Sequence, residues 1–354
     1  MTNSTPRKPL SMQRGAWGSA AWITPECCRI RLKNPLGSLL INTMVYRTKD
    51  GISIIDPGWP WTLDALEQSL IDLEIITQSI KEVAHFIYTH THIDHMGAAA
   101  LLSWRTEATH HFLNELLPMS GDWHAFQDQM GDWDDWMLSL LAGEHREKIR
   151  EELKHRKRRK TMTKAYGSMS INPKHIKTFQ AQDSIQIDSQ LSLNVLPARG
   201  HDPYHVVFLE PQHNTLISGD VFLAVPTPIT GVMGDDLGMY EETLSRLSKL
   251  KPDILLPGHG SQLIGEQNVQ QHMQRAQNYV DHYRTVVQQH LERHTEPQDL
   301  WSIGMETRPD DHILSNHLRW WTHLGLIQAR LVLMLKREQI ECIDDGDGPH
   351  YRLR

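Results

Sequence analysis

Short runs of apolar residues alternate along the chain with longer stretches in which apolar positions recur every three or four residues, and the order of these two patterns sets the expected architecture. Residues 39–46 and 52–55 read as two strands joined at Lys49-Asp50-Gly51, a hairpin, and the second strand stops at Asp56-Pro57-Gly58. Leu63, Leu66, Leu70 and Leu73 then recur at helical spacing, after which the chain returns to a strand over 83–88 and starts another helix at Gly97. Further short apolar runs lie at 191–197, 206–209, 216–218 and 254–256, each bounded by turn residues. Strands in two sets, separated by helices, predict an α/β fold with two facing sheets covered by helices. Ahead of them, residues 1 to about 30 form a polar, proline-containing lead-in and one irregular strand near Trp17 and Trp22.

Two regions fall outside that body. Trp123, Phe126, Met130, Trp133, Met137 and Leu140 are three or four residues apart, an apolar stripe on one side of a helix. A charged helix over 144–160 follows, with Glu144 to Lys148 and Glu152 to Arg156 paired one turn apart and a basic run from Lys154 to its end. Towards the C-terminus, 266–293 reads as one long polar helix, and Thr295-Glu296-Pro297 ends it, which sets a boundary between a body at 1–295 and a module at 296–354. In the module, Asp310-Asp311 caps a helix closed by Gly325, a second helix covers 328–337, and strands on either side of the turn at 344–348 make a hairpin.

The 354 residues are 39% hydrophobic and 22% charged, values of a water-soluble globular protein. A formal net charge of −7 argues against a general polyanion binder. Three cysteines, Cys27, Cys28 and Cys342, neither build a disulfide framework nor have zinc-finger spacing, so a reducing compartment is expected. With no apolar leader behind the N-terminus and no run near the roughly 18 apolar residues of a span, the expected location is the cytoplasm, away from membranes.

Chemistry concentrates in Thr89-His90-Thr91-His92-Ile93-Asp94-His95-Met96-Gly97, on the loop between a strand and a helix. On extended backbone His90 and His92 point to one side, and Asp94 and His95 lie beyond the bend, so two neighbouring ions are possible. Imidazole and carboxylate suit zinc, iron or manganese. The plainer alternative is a histidine-rich loop in a chain with 22 histidines. Three later strands each end in a further candidate: His201 in Pro197-Ala198-Arg199-Gly200-His201, Asp220 in Ser218-Gly219-Asp220, and His259 in Pro257-Gly258-His259-Gly260. A glycine stands beside each one, as a tight turn with close backbone approach requires.

His-x-His-x-Asp-His resembles the signature of the metallo-β-lactamase superfamily, and the three later motifs resemble that family's later ones in the same order. The resemblance implies an αββα sandwich with pseudo-twofold halves and two divalent ions, zinc first, with iron or manganese as alternatives. His90, His92 and His201 would hold one ion, Asp94, His95 and His259 the other, and Asp220 would bridge. Asp56 and His205 would support these residues from outside. The implied chemistry is hydrolysis by a hydroxide between the ions, with Asp94 acting on the proton. His92 stands where the flavodiiron branch has Glu, which weakens an oxygen-reducing reading.

Between His95 and His201 lie 105 residues, more than compact members need, so a helical insertion at about 105–175 is expected over the cleft. Trp123 and Trp133 are its candidate substrate contacts, and Lys157, Arg158 and Arg159 its candidate anion contacts; the alternatives are packing against the body or another subunit, and a solvated helix face. The tail resembles the winged helix of the lactamase-like endoribonucleases, although 329–335 is too apolar to read bases and suits packing or a homodimer better. The expectation is a hydrolase of small-molecule esters, thioesters or lactones. Its alternatives are an endoribonuclease or other phosphodiesterase with RNA as partner, and a metal-loaded ligand-binding regulator without turnover.

Overall fold

A computed structural model describes residues 13–15, 17–33, 40–123, 126, 138, 141, 143–154, 170–224, 227–229, 234–310, 317–344, 346 and 348–354. Its first sheet follows chain order: β1 (Gln13–Gly15), β2 (Gly18–Trp22), β3 (Cys27–Lys33), β4 (Leu40–Thr48), β5 (Gly51–Ile55), β6 (His85–Ile87), β7 (Thr109–Leu113) and β8 (Ile176–Phe179). The pairs up to β4–β5 are antiparallel, and those from β5 to β8 are parallel. Three strands, not one irregular strand, form before residue 34, because Cys27, Cys28, Ile30 and Leu32 give β3 enough buried surface to pair along its whole length with β4.

The second sheet contains β9 (Ser184–Gln186), β10 (Ser192–Pro197), β11 (Val206–Glu210), β12 (Thr215–Gly219), β13 (Ile254–Pro257) and β14 (Leu263–Ile264), in the reverse of chain order. Its inner strands β11, β12 and β13 are buried almost throughout because both their faces are covered, whereas β9 and β10 alternate. Val206, Phe208, Ile217 and Leu256 join the core shared with Met44, Ile54 and Phe86 of the first sheet. Their neighbours Val207, Leu216 and Leu255 face the other way, into a second core with helices. Each fully buried side chain of this kind contributes roughly 1.5–3 kcal/mol, so the two cores together fix which ends of the strands meet.

Helices complete the layers. The first, α1 (Leu63–Asp72), is preceded by a 3₁₀ turn at Pro60–Thr62 and packs Leu66 and Leu70 on the first sheet. A single turn, α2 (Ile93–Met96), and α3 (Ala99–Arg105) follow β6. Of the charged helix, α4 (Gly143–Lys154) is described; the stripe positions Met130, Trp133, Met137 and Leu140, and Lys157, Arg158 and Arg159, lie outside the described residues. The outer face of the second sheet is covered by α5 (Leu237–Leu247) and α6 (Glu266–Arg293).

After α6 the chain forms β15 (Gln298–Asp299), α7 (Leu300–Thr307), α8 (His317–Lys336), β16 (Ile340–Asp344) and β17 (Pro349–Leu353), with β17 between the other two strands. Gly325 does not stop a helix: α8 runs through it, since buried Leu324, Leu326 and Ile327 hold both sides of the glycine, outweighing its cost of about 1 kcal/mol. The apolar stretch 329–335 is used within the chain, with Ala329, Leu331, Leu333 and Met334 buried in the second core. Arg330 is buried there too, on the Glu241 carboxylate at 2.6 Å.

Candidate metal centre

Four strand ends converge. His90, His92, Asp94 and His95 follow β6; His201 follows β10; Asp220 and His259 follow the parallel neighbours β12 and β13, whose Gly219 and Pro257 are register partners. Backbone bonds tie these loops to one another: Val206 N–H donates to Thr89 O (2.8 Å), Gly258 N–H to Gly219 O (2.7 Å), and Asn42 N–H to Gly258 O (2.8 Å). The glycines allow the approach. A Cβ on Gly258 would overlap Asp220 Oδ1 and stand 2.6 Å from His95 Cε1, and Gly219 takes a φ of +48° beside the His205 ring. Gly258→Ala is therefore expected to lower the affinity of this centre for divalent metal at least about tenfold, with unchanged far-UV circular dichroism; normal metal affinity in that variant would refute the packing argument.

The side chains form two groups. His90, His92, His201 and Asp220 bring one ligand atom each within 4.8 Å of one another, and so do Asp94, His95 and His259. Asp220 stands between them, with Oδ2 3.6 Å from His201 Nε2 and 3.4 Å from His259 Nε2, and Oδ1 3.4 Å from His95 Nε2. The Asp94 carboxylate lies 3.2 Å from His259 Nε2 and 4.0 Å from His95 Nε2. Two ligands bound at 2.0–2.1 Å on a tetrahedron are about 3.3–3.4 Å apart, so most of these spacings suit a shared ion.

Hydrogen bonds fix the tautomers. Thr89 Oγ1 donates its one proton to Asp56 Oδ2 (2.6 Å) and so accepts from His90 Nδ1–H (2.9 Å). His95 Nδ1–H donates to Asp56 Oδ2 (2.8 Å), His201 Nδ1–H to Pro228 O (2.8 Å), and His259 Nδ1–H to Leu40 O (2.9 Å). Each of these rings turns Nε2 inward. His90, His95 and His201 Nε2, together with Asp220 Oδ1, are buried and lack a hydrogen bond of ordinary geometry. Buried polar atoms without partners need an explanation, and a cation among them supplies one.

The electrostatics divide the same way. Burial, reinforced by neighbouring imidazoles, holds His90 well below its ordinary pKa and brings His201 down to about 4, and burial lowers His92 as well. In the other group burial again opposes charge, but Asp220, Asp94 and Asp56 outweigh it and hold His95 well above the usual range, and Asp220 and Asp94 raise His259 to about 10. Burial would raise the carboxylates, yet His259 and His95 keep Asp220 well below its ordinary value, and the same rings bring Asp94 to about 2. One half thus offers neutral imidazoles, and the other requires positive charge. Divalent cations satisfy both halves.

Of the other residues singled out from the sequence, Asp56 lies directly behind the centre. Its backbone takes a φ of +54°, and its carboxylate also accepts from Thr89 N–H (2.9 Å). His205 points its Nε2 at the Asp220 backbone N–H (3.2 Å) and stacks on His90 with ring centroids 4.5 Å apart, an arrangement that positions its neighbours and directs neither nitrogen into a ligand group. Trp123 is buried in the first core beside Phe126, which meets Tyr204 edge-on, so its surface is used for packing and is not a free wall.

Pattern reading missed several positioning residues. Asn42 Nδ2 donates to Pro257 O (2.8 Å) and Gly260 O (2.9 Å), clamping the His259 loop. Asp202 accepts from Thr91 N–H (3.1 Å) and the Thr91 hydroxyl, joining the quartet to the His201 loop. Trp59 and Trp61, half-buried with rings 4.4 Å apart, sit on the loop whose Gly58 N–H reaches His95 O (3.4 Å). An Asn within a strand shows no such role in sequence, but Asp202 adjoins His201, and Trp59-Pro60-Trp61 closely follows Asp56; both neighbourhoods were readable signals.

A family model described as the metallo-beta-lactamase superfamily matches residues 36–259. The probable metallo-hydrolase YqjP of Bacillus subtilis (strain 168) is 26% identical over 253 residues, which are 69% of this chain and 74% of that protein. Among crystal structures, the metallo-beta-lactamase family protein TTHA1429 from Thermus thermophilus superposes with a TM-score of 0.67 at 18% identity, over 94% of this chain and 100% of the other. A beta-lactamase domain protein from Burkholderia ambifaria gives 0.69 at 18%, over 96% and 94%. At such identities the structural likeness is one of fold.

Proposed function

Since the chain belongs to the metallo-β-lactamase superfamily, we propose that it is a dinuclear metal-dependent hydrolase of small-molecule esters, thioesters or lactones. The observation that carries the dinuclear reading is Asp220, one carboxylate facing His201 on one side and His95 and His259 on the other at 3.4–3.6 Å. His90, His92 and His201 would hold one ion, Asp94, His95 and His259 the second, and zinc is the expected metal. When bound, the ions supply a water nucleophile at neutral pH and an electrophile for the carbonyl oxygen. The chain's own residues do the remaining work. Asp56 orients His95 directly and His90 through Thr89; Asp94 is less buried than His95 and can carry the water's proton to the leaving group.

Aromatic surface beside the ligand loops favours an acyl substrate. Half-buried Trp59 and Trp61 directly follow Gly58, whose backbone bonds to His95 and Ala98, and Tyr204 follows His201 by three residues. Arg199, the cation nearest His201 in sequence, is paired with Glu115. Small binding sites are mostly apolar with few polar groups, whereas phosphodiester recognition needs cations. Protein reconstituted separately with zinc, iron and manganese, then tested on esters, thioesters, lactones, a bis-aryl phosphodiester and single-stranded RNA, is expected to hydrolyse at least one acyl class. Turnover confined to the phosphodiester or RNA would overturn the substrate assignment, and inertness on all classes with both ions bound would overturn the enzyme reading.

A further inference from the structure

The end of α6 carries a second kind of histidine cluster, which shares no residue with the dinuclear centre. His290 lies in the last turn of α6 and His294 is the extended residue that caps it, and their ring centroids are 4.4 Å apart. Beyond His294 the chain reverses through Thr295-Glu296-Pro297, and α7 returns Glu306 to the same point. A single oxygen, Glu306 Oε2, is 3.3 Å from His290 Nδ1 and 3.2 Å from His294 Nε2. These are again the spacings of two ligands around one tetrahedral ion, about 3.3–3.4 Å.

We propose that His290, His294 and Glu306 form a separate mononuclear site for a divalent cation of the zinc class, which staples the end of α6 to α7. Two independent observations support it beyond the grouping of residue types. His290 is fully buried, and neither ring nitrogen makes a hydrogen bond of ordinary geometry, although the Gln298 side chain stands beside the ring. A plain imidazole–carboxylate pair at this geometry leaves that ring unsatisfied in the protein interior, whereas coordination uses Nδ1, the nitrogen that faces Glu306. The cluster is also open on one side: the His294 side chain is 33% exposed and that of Glu306 50%, leaving an entry path and room for water as a fourth ligand. Arg293, the adjacent cation, turns its Nε back to Gln289 O at 3.2 Å.

The role is structural. Ligands from the last turn of α6, its C-cap and α7 close the reversal at 295–297, so the bound ion adds stability to the junction between α6 and the C-terminal elements. The test uses the full chain and zinc alone, with bound metal counted after equilibrium dialysis at buffered free zinc. His294→Ala and Glu306→Gln, both at partly exposed positions, are each expected to bind one equivalent less than the unmodified chain. Both should lose part of the zinc-dependent rise in Tm and keep wild-type hydrolysis. His290→Ala should behave alike, and its own circular dichroism spectrum separates loss of the ligand from misfolding at this buried position. Equal stoichiometry and an equal zinc-dependent Tm rise in wild type and both exposed-position variants would overturn the site. Failure of the dinuclear reading would lower the total count in every protein and leave the difference between them intact.

Discussion

Asp220→Ala is expected to lower kcat/KM on any substrate by on the order of a thousandfold, about 4 kcal/mol of transition-state stabilisation, and to reduce bound metal at the dinuclear centre to one ion or none. The size follows from position: no other carboxylate in the structure lies within 3.6 Å of rings from both ligand groups among the described residues. In the proposed centre its removal would take a ligand from each ion, and it deletes the charge that, against burial, helps hold His95 and His259 above their ordinary range. The metal-free variant should also be less stable than the metal-free parent, by about 3–5 kcal/mol, as expected when one partner leaves a buried charged cluster. Asp220→Asn separates shape from charge, since it keeps the volume and loses the anion. Metal analysis with steady-state kinetics decides the matter, and two tightly held ions with normal turnover in Asp220→Ala would end the bridging assignment.

The second large effect is expected at Asp56, which reaches the proposed ions only through other side chains. Asp56→Ala strands three buried donors, Thr89 N–H, Thr89 Oγ1–H and His95 Nδ1–H. Each buried donor left without a partner costs about 1–3 kcal/mol, so urea unfolding should show a loss of roughly 3 kcal/mol or more. The tautomers of His90 and His95 also lose their anchor, for which metal affinity should fall about 10–100-fold. Competition against a chromophoric chelator reads the affinity separately from the unfolding midpoint. Alanine does not relieve the φ of +54°, and so does not offset the loss. An unchanged metal affinity would mean that Asp56 serves only its turn.

Much of the architecture was legible before any coordinates, for identifiable reasons. The helical spacing of Leu63, Leu66 and Leu70 and the short apolar runs of the second sheet report burial directly, and burial is what builds those elements. The dense quartet at 90–95, with its glycine-flanked successors at 201, 220 and 259, exposed the centre because ligand chemistry restricts residue type strictly. Misreadings arose where local signals were weaker than packing. Gly325 looked like a helix end and lies inside α8; the lead-in to β4 looked irregular and forms three strands. For Trp123 the sequence leaves a substrate contact and packing both open, and the structure places it in the first core.

The sequence by itself determined the kind of chemistry and the order of the elements, because apolar period and ligand type are properties of neighbouring residues. Only the tertiary structure decided that Asp220 faces both groups, that Asn42 and Asp202 clamp the loops carrying His259 and His201, and that Glu306 comes back to His290 and His294. Those relations join residues 12 to 218 positions apart, some across two sheets and others across a chain reversal. Each depends on where strand and helix ends meet in space, and no local pattern of polarity encodes that meeting.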